Sequence, residues 1–191
     1  MDELKNKKLL KVMFGSTSGA NSNIKYKLNE VNIAPRWNPS TQDPKEMGGF
    51  NFSTEDKILR WLVRGDTLYD VEIPDDAEVV NCQSESAPNG VFRTNKIIIS
   101  NPRPVTDEIA MDLYLKSDLP VKSYYKALAG LMVRGYPNTC KKLIADRINK
   151  NNIDLVLDEI NDFIKPENDT GNSSSNVCNE IMNILLDIKN K

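Results

Sequence analysis

The spacing of apolar residues changes once along this chain, near residue 105. Before that point they come in short clusters or alternate with polar residues; beyond it they recur every three to four positions. In the first part, "LLKVMFGST" groups Leu9, Leu10, Val12, Met13 and Phe14 ahead of Gly15, the pattern of a buried strand running into a turn. "TLYDVEIP" sets Leu68, Val71 and Ile73 among polar residues and predicts a second strand, and "AEVVNC" a third. "FRTNKIIISNP" carries Ile97, Ile98 and Ile99 in succession, which predicts a central strand closed by Asn101-Pro102. Between them, "GGFNFSTEDKILRWLVRG" reads as a glycine pair, a short aromatic strand and a helix over roughly 55–64. Ser53 or Thr54 would cap that helix, Glu55 and Asp56 suit its first turn, and Gly65 would end it. Residues 20–47, rich in Asn and Pro, predict an irregular stretch with a weak strand at Ile24 to Leu28. A stretch of that length in a compact domain is functional, mobile, or a meander tacked down by Ile33 and Trp37.

After Val105 the helical period takes over. Thr106, followed by Asp107 and Glu108, opens a helix through Leu113. Pro120 opens a second, stopped by Gly135; Pro137 opens a third; Ile153 to Ile164 forms a fourth. "KPENDTGNSSSN" has the composition of a linker over 166–176, and Val177, Ile181, Ile184, Leu185 and Ile188 then mark one stripe of a C-terminal helix over 177–191. That stripe must dock on this chain, on a second copy or on a protein partner. The expected fold class is α+β: a β-rich domain over 1–104, a helical region over 105–165, the linker and the last helix.

Composition narrows the chemistry. The 191 residues are 39% hydrophobic and 27% charged, with a net charge of −2. A core is affordable, and the pI near 5.3 disfavours a broadly nucleic-acid-binding surface. No apolar run approaches the roughly 20 residues that cross a bilayer, and "MDELKNKKLLKVMF" lacks a signal-peptide core, so a cytoplasmic protein is expected. Cys82, Cys140 and Cys178 are far apart and form no CxxC pair, which fits free thiols and argues against structural zinc. The carboxylates match no metal-binding spacing either, so no metal is expected. There is no histidine, which removes His-dependent triads, His general acid–base work and His-ligated metals. Neither GxxxxGK[ST] nor GxGxxG occurs.

What remains is an order of short motifs: "VMFGSTS", a variable loop, "GGFNFSTEDKILRWL", "TLYDVEIPDDAEVV" and "NKIIISNPRPV". Over roughly residues 9–104 this order resembles small bacterial and phage ADP-ribosyltransferases. The resemblance implies a split β-sheet and NAD as the substrate that donates ADP-ribose. It implies that Phe14, Gly15, Ser16 and Thr17 form the first-strand turn whose backbone grips the nicotinamide amide, and that Phe52, Ser53 and Thr54 support the site. The family's catalytic acid is matched by Glu85 in Gln83-Ser84-Glu85, with Gln83 beside it. Where the family introduces its last strand with a glutamate, this chain has Asn95 and Lys96; Asn95 would hydrogen-bond a ribose without supplying charge. The His or Arg of the first motif is also missing, with Lys11 the nearest cation.

Three functions follow as expectations. The first is NAD-dependent ADP-ribosyl transfer to a macromolecular target, with a carboxylate stabilising the oxocarbenium character at the ribose. The second is a catalytically inactive bacterial or phage interaction protein on the same scaffold, engaging a protein partner or a second copy through its helical half and C-terminal helix. The third is a nucleic-acid-associated module in which Arg134, Lys141, Lys142 and Arg147, with tyrosines nearby, meet phosphates. A solvated face beside core tyrosines explains the same pattern.

Overall fold

The computed structural model describes residues 4, 6–18, 21–163 and 175–190. The chain is mixed α+β and divides into two compact units. One comprises Met1–Ile58 with Arg64–Pro104; the other comprises Leu59–Val63 with Val105–Lys191.

The first unit is built from β1 (Leu9–Met13), β2 (Thr17–Ser18), β3 (Asn21–Lys25), β4 (Val31–Ile33), β5 (Phe50–Thr54), β6 (Thr67–Glu72), β7 (Val79–Asn81), β8 (Phe92–Thr94) and β9 (Lys96–Pro104), with a short helix α1 (Pro44–Met47). Seven strands form one sheet in the order β4-β9-β6-β1-β5-β8-β7, and β2 pairs with β3 apart from it. Every ladder is antiparallel. β8 and β9 are separated in sequence only by Asn95, yet β8 pairs with β5 and β9 with β6, on opposite sides of β1. The sheet must therefore curl until its two arms meet at a corner. Asn95 fastens that corner: its carbonyl accepts from Ala34 N, and its side-chain oxygen accepts from Glu78 N at 2.8 Å. Inside the curl, Leu9, Met13, Tyr26, Phe50, Phe52, Tyr69, Phe92, Ile97 and Ile99 form the core, with Phe52 and Phe92 stacked at 5.4 Å.

Several expectations change here. The helix expected from residue 55 is a 3₁₀ helix over Ile58–Arg64, and Ser53 and Thr54 do not cap it. Strand pairing claims them first: Thr54 lies opposite Leu9 and Ser53 opposite Leu10. Residues 20–47 hold β3, β4 and α1, so the expected weak strand at Ile24 to Leu28 overlaps only the end of β3. β9 does not stop at Asn101-Pro102. The β6–β9 register shifts there, from Asp70↔Ser100 to Leu68↔Arg103, and Asn101 takes φ 50°. This is a bulge, a place where a proline without an N–H is tolerated inside a strand. β9 also lies beside the edge strand β4 rather than at the centre.

The helical unit contains α2 (Asp107–Lys116), α3 (Val121–Arg134), α4 (Pro137–Arg147), α5 (Ile153–Phe163) and α6 (Ser175–Asn190). Thr106 caps α2 through Ile109 N, and Gly135 ends α3 in the left-handed region at φ 79°. Asp107 caps a different helix from its own. Its carboxylate accepts from Asn138 N at 2.9 Å and Thr139 N at 3.0 Å, the free amides in the first turn of α4. The α6 stripe docks within its own chain: Ile181 and Leu185 are fully buried, and α6 packs on α3, α4 and α5. Lys141–Glu180 at 2.6 Å and Lys189–Asp154 at 2.8 Å flank it. Most of the expected linker lies outside the described residues; its last two, Ser175 and Asn176, begin α6.

Candidate functional site

The residues that the sequence singles out fall into two groups at opposite ends of the sheet. Phe14 to Thr17 turn at the Met13 end of β1. The turn is closed by Thr17 N and Oγ1 donating to the Phe14 carbonyl. Gly15 sits at φ 52°, its N–H donates to Asp66 Oδ1 at 3.1 Å, and its carbonyl accepts from the Tyr69 hydroxyl at 2.8 Å. The Gly15 backbone, expected to be open for an amide ligand, is thus bonded within the protein on both sides. Ser16 is exposed, and its carbonyl accepts from Tyr26 N.

The other group gathers at the Leu9 end. Ser53 is buried and donates to the Gly90 carbonyl at 2.5 Å. Thr54 is buried with its hydroxyl unpaired, and Phe52 belongs to the core. Gln83 and Glu85 are exposed in the loop that leaves β7 beyond Asn81, which pairs with Phe92 and, through it, with Phe52. β1 runs between the two groups, so Leu9 and Phe14 stand about 17 Å apart at roughly 3.3 Å per residue. The loop that carries Glu85 leaves the sheet at the end opposite the Phe14–Thr17 turn. Asn95 is the corner clamp, with its side-chain oxygen already used by Glu78 N.

A different set of residues does converge. Along β1, Leu9, Lys11 and Met13 share one side of the strand, so the period of two sends a lysine where its neighbours are apolar. Lys11 is only 2% exposed. The β1–β5 ladder ends at Leu10↔Ser53, while β1 continues along β6 to Met13↔Thr67. Beyond that point the Lys11 ammonium does the work of the missing ladder bonds. It donates to the carbonyl and the side-chain oxygen of Asn51, each at 2.6 Å, and lies 5.2 Å from the Tyr26 ring centre. Among the described residues no carboxylate pairs with it. Burial, and then the charge of Arg93, push the amine down to about 7.

Arg93 lies opposite Asn51 in the β5–β8 ladder and donates to the Gly48 carbonyl. Its charge also acts on Arg64, whose guanidinium is lowered first by desolvation and then by Arg93. Cys82 feels it too, though burial dominates there and raises the thiol. Lys11 and Arg93 thus come together at Asn51, the first bonded to it and the second opposite it in the ladder. Sequence reasoning passed over Arg64, Arg93 and Asn51. The one signal was Lys11 itself, a lysine inside the apolar run of β1.

Lys141, Lys142 and Arg147 have partners within the helical unit. Lys141 pairs with Glu180, Lys142 with Asp146 at 2.6 Å, and the Arg147 guanidinium covers the Tyr124 ring at 3.6 Å. Tyr114, bonded to Asp146, is raised to about 12 by burial and then by that carboxylate. Among the described residues no group of His, Cys, Asp or Glu could hold a metal, and no helix is long and apolar enough to cross a membrane. The chain matches no protein-family model, no curated protein and no solved structure.

Proposed function

We propose that this chain is a cytoplasmic binding protein, its β-unit holding a small ligand and its helical unit serving as a scaffold for a protein partner. The observation that carries this reading is the separation of Glu85 from the Phe14–Thr17 turn along the length of β1. ADP-ribosyl transfer needs a carboxylate where positive charge develops at the ribose, within reach of the group that holds the nicotinamide. Here the acid and the turn stand at opposite strand ends, and Gly15 already has partners for its N–H and carbonyl.

NAD-dependent ADP-ribosyl transfer is the second reading. Its support is the order of motifs over residues 9–104, on an antiparallel sheet with β1 near its middle. Proton NMR of NAD with the full chain, with and without cell lysate as a source of acceptors, separates the two. The binding reading expects no free nicotinamide after hours of incubation. Nicotinamide release that disappears in Glu85→Gln would overturn it in favour of the transferase.

A further inference from the structure

β4 is the end strand of the seven-stranded sheet, with β9 on its inner side. The ladder between them fixes which backbone groups of β4 face outward. Val31↔Ile98, Asn32↔Ile97 and Ile33↔Lys96 are partners, and one step beyond them the Ala34 N–H donates to the Asn95 carbonyl. Hydrogen-bonded and non-hydrogen-bonded pairs alternate along an antiparallel ladder. Ala34 and Asn32 are therefore the bonded positions, and Val31 and Ile33 turn their N–H and C=O groups away from β9. Among the described residues nothing takes those outward groups. The Val31 and Ile33 side chains share one face and are 48% and 69% exposed, while Asn32 is buried on the other. Asn32 also holds the edge in shape: its side chain accepts from Lys27 N at 2.8 Å and donates to the Lys27 carbonyl at 2.9 Å and the Glu30 carbonyl at 3.0 Å. Sheet edges are commonly guarded by charges, prolines or bulges. β4 has none of these within Val31–Ile33, whereas β7, at the other end of the sheet, is half-buried throughout.

We propose that β4 is the pairing edge for a second copy of this chain, joined antiparallel about a two-fold axis at Asn32. In that register Val31 lies opposite Ile33 of the second copy, and Ile33 opposite its Val31. Every outward N–H and C=O of both strands then finds a partner, and the exposed β-branched side chains meet across the join. The segment is its own complement, because apolar–polar–apolar reads the same in both directions. Charge selects the antiparallel direction. Glu30 precedes β4 and Arg36 follows it, so Glu30 of one copy comes opposite Ala34 of the other, at the flank that carries Arg36. A parallel pair would set Glu30 beside Glu30. The exposed Lys27–Glu30 pair, at 3.6 Å, leaves that carboxylate open to a second cation. An isologous contact uses each edge once and closes at two copies. Pro35 ends the pairing, and strands this short make a small interface, so the dimer is weak and reversible. The contact lies on the β-unit and is independent of the helical unit's role as a scaffold.

Sedimentation velocity of the full chain from micromolar to near-millimolar concentration tests the contact. A monomer–dimer equilibrium is expected. Ile33→Lys should weaken it tenfold or more, and Leu155→Lys, which charges an exposed apolar position on α5, should leave it unchanged. Thermal melts establish that both variants are folded. The register is read by cross-linking in a Cys178→Ser background. Val31→Cys and Ile33→Cys, mixed and oxidised with diamide, should form a disulfide-linked dimer several times faster than either variant alone, because the two positions are opposite each other only between different residues. That pair also serves if Ile33→Lys does not fold. A chain that stays monomeric at every concentration, a dimer that Ile33→Lys leaves intact, or one that Leu155→Lys dissociates would overturn the proposal. So would cross-linking of the mixture no faster than of the single variants.

Discussion

Lys11 shows how one side chain sets a local balance that its neighbours cannot. It stands between Leu9 and Met13 and gives its ammonium to Asn51, which replaces strand pairing where β1 and β5 part. Its folded value near 7 lies below the ordinary lysine value of about 10.4. The unfolded chain therefore binds the extra proton between these values, and stability rises with pH across that window. Below pH 7 both states are protonated and the full penalty applies, on the order of 5 kcal/mol. Urea unfolding of the wild type and Lys11→Met between pH 7 and pH 10 reads this directly. The wild type should gain stability relative to the variant as pH rises. A constant difference would mean that the ammonium is better solvated than its burial indicates. Lys11 was visible in the sequence, but its burial was not: both faces of β1 are covered, so alternation could not mark the inward side.

At the scale of elements, strand and helix identities were largely legible, while the reason each one ends often was not. Thr106, Gly135 and Pro137 announced the boundaries of α2, α3 and α4 through rules that act within a few residues. Ser53-Thr54 looked the same locally, but the Ser53 hydroxyl and the strand pairing of both residues were committed to partners 37 or more residues away. The β9 bulge was hidden for the same reason, since it is defined by a shift against β6. Asp107 combines both cases: readable as a first-turn acid of α2, it caps α4 across the unit. Burial alone would raise its carboxyl, but the hydroxyl and amide of Thr139 and the amide of Asn138 outweigh that and lower it. Such a carboxylate stabilises the fold above its unfolded value near 4, and the contribution is lost as pH falls through the lowered folded value. Asp107→Ala should cost about 1 to 3 kcal/mol at pH 7 by urea denaturation. That difference should shrink at pH 2 to 3.

At the scale of the molecule, the two units are not two consecutive lengths of chain. Leu59–Val63 belongs to the helical unit although it lies between β5 and β6 in sequence. The boundary near residue 105 was legible because the apolar period changes there; this inserted segment was not, because five residues are too few to show a period. Leu59 and Leu62 are buried. A fragment ending at Pro104 keeps them and loses the helices, so it should bind the dye ANS and aggregate where the full chain does not. A monomeric fragment that binds no ANS would mean that these side chains find cover within the first unit.

The corner at Asn95 has a consequence for the order in which the chain can fold. Until residues 92–104 are available, β5 lacks β8 and β6 lacks β9, and each offers a row of unpaired amides and carbonyls. The strands that close the sheet are the last of their unit to be made, and they pair with β5 and β6 across roughly 25 to 45 residues and, through β9, with β4 across about 65. Helices α2 to α5 close mainly short-range contacts and belong to a faster class of folding events. A nascent chain is therefore exposed to edge-to-edge association for as long as synthesis takes to pass Pro104, and protection arrives on both arms at once, through a single turn.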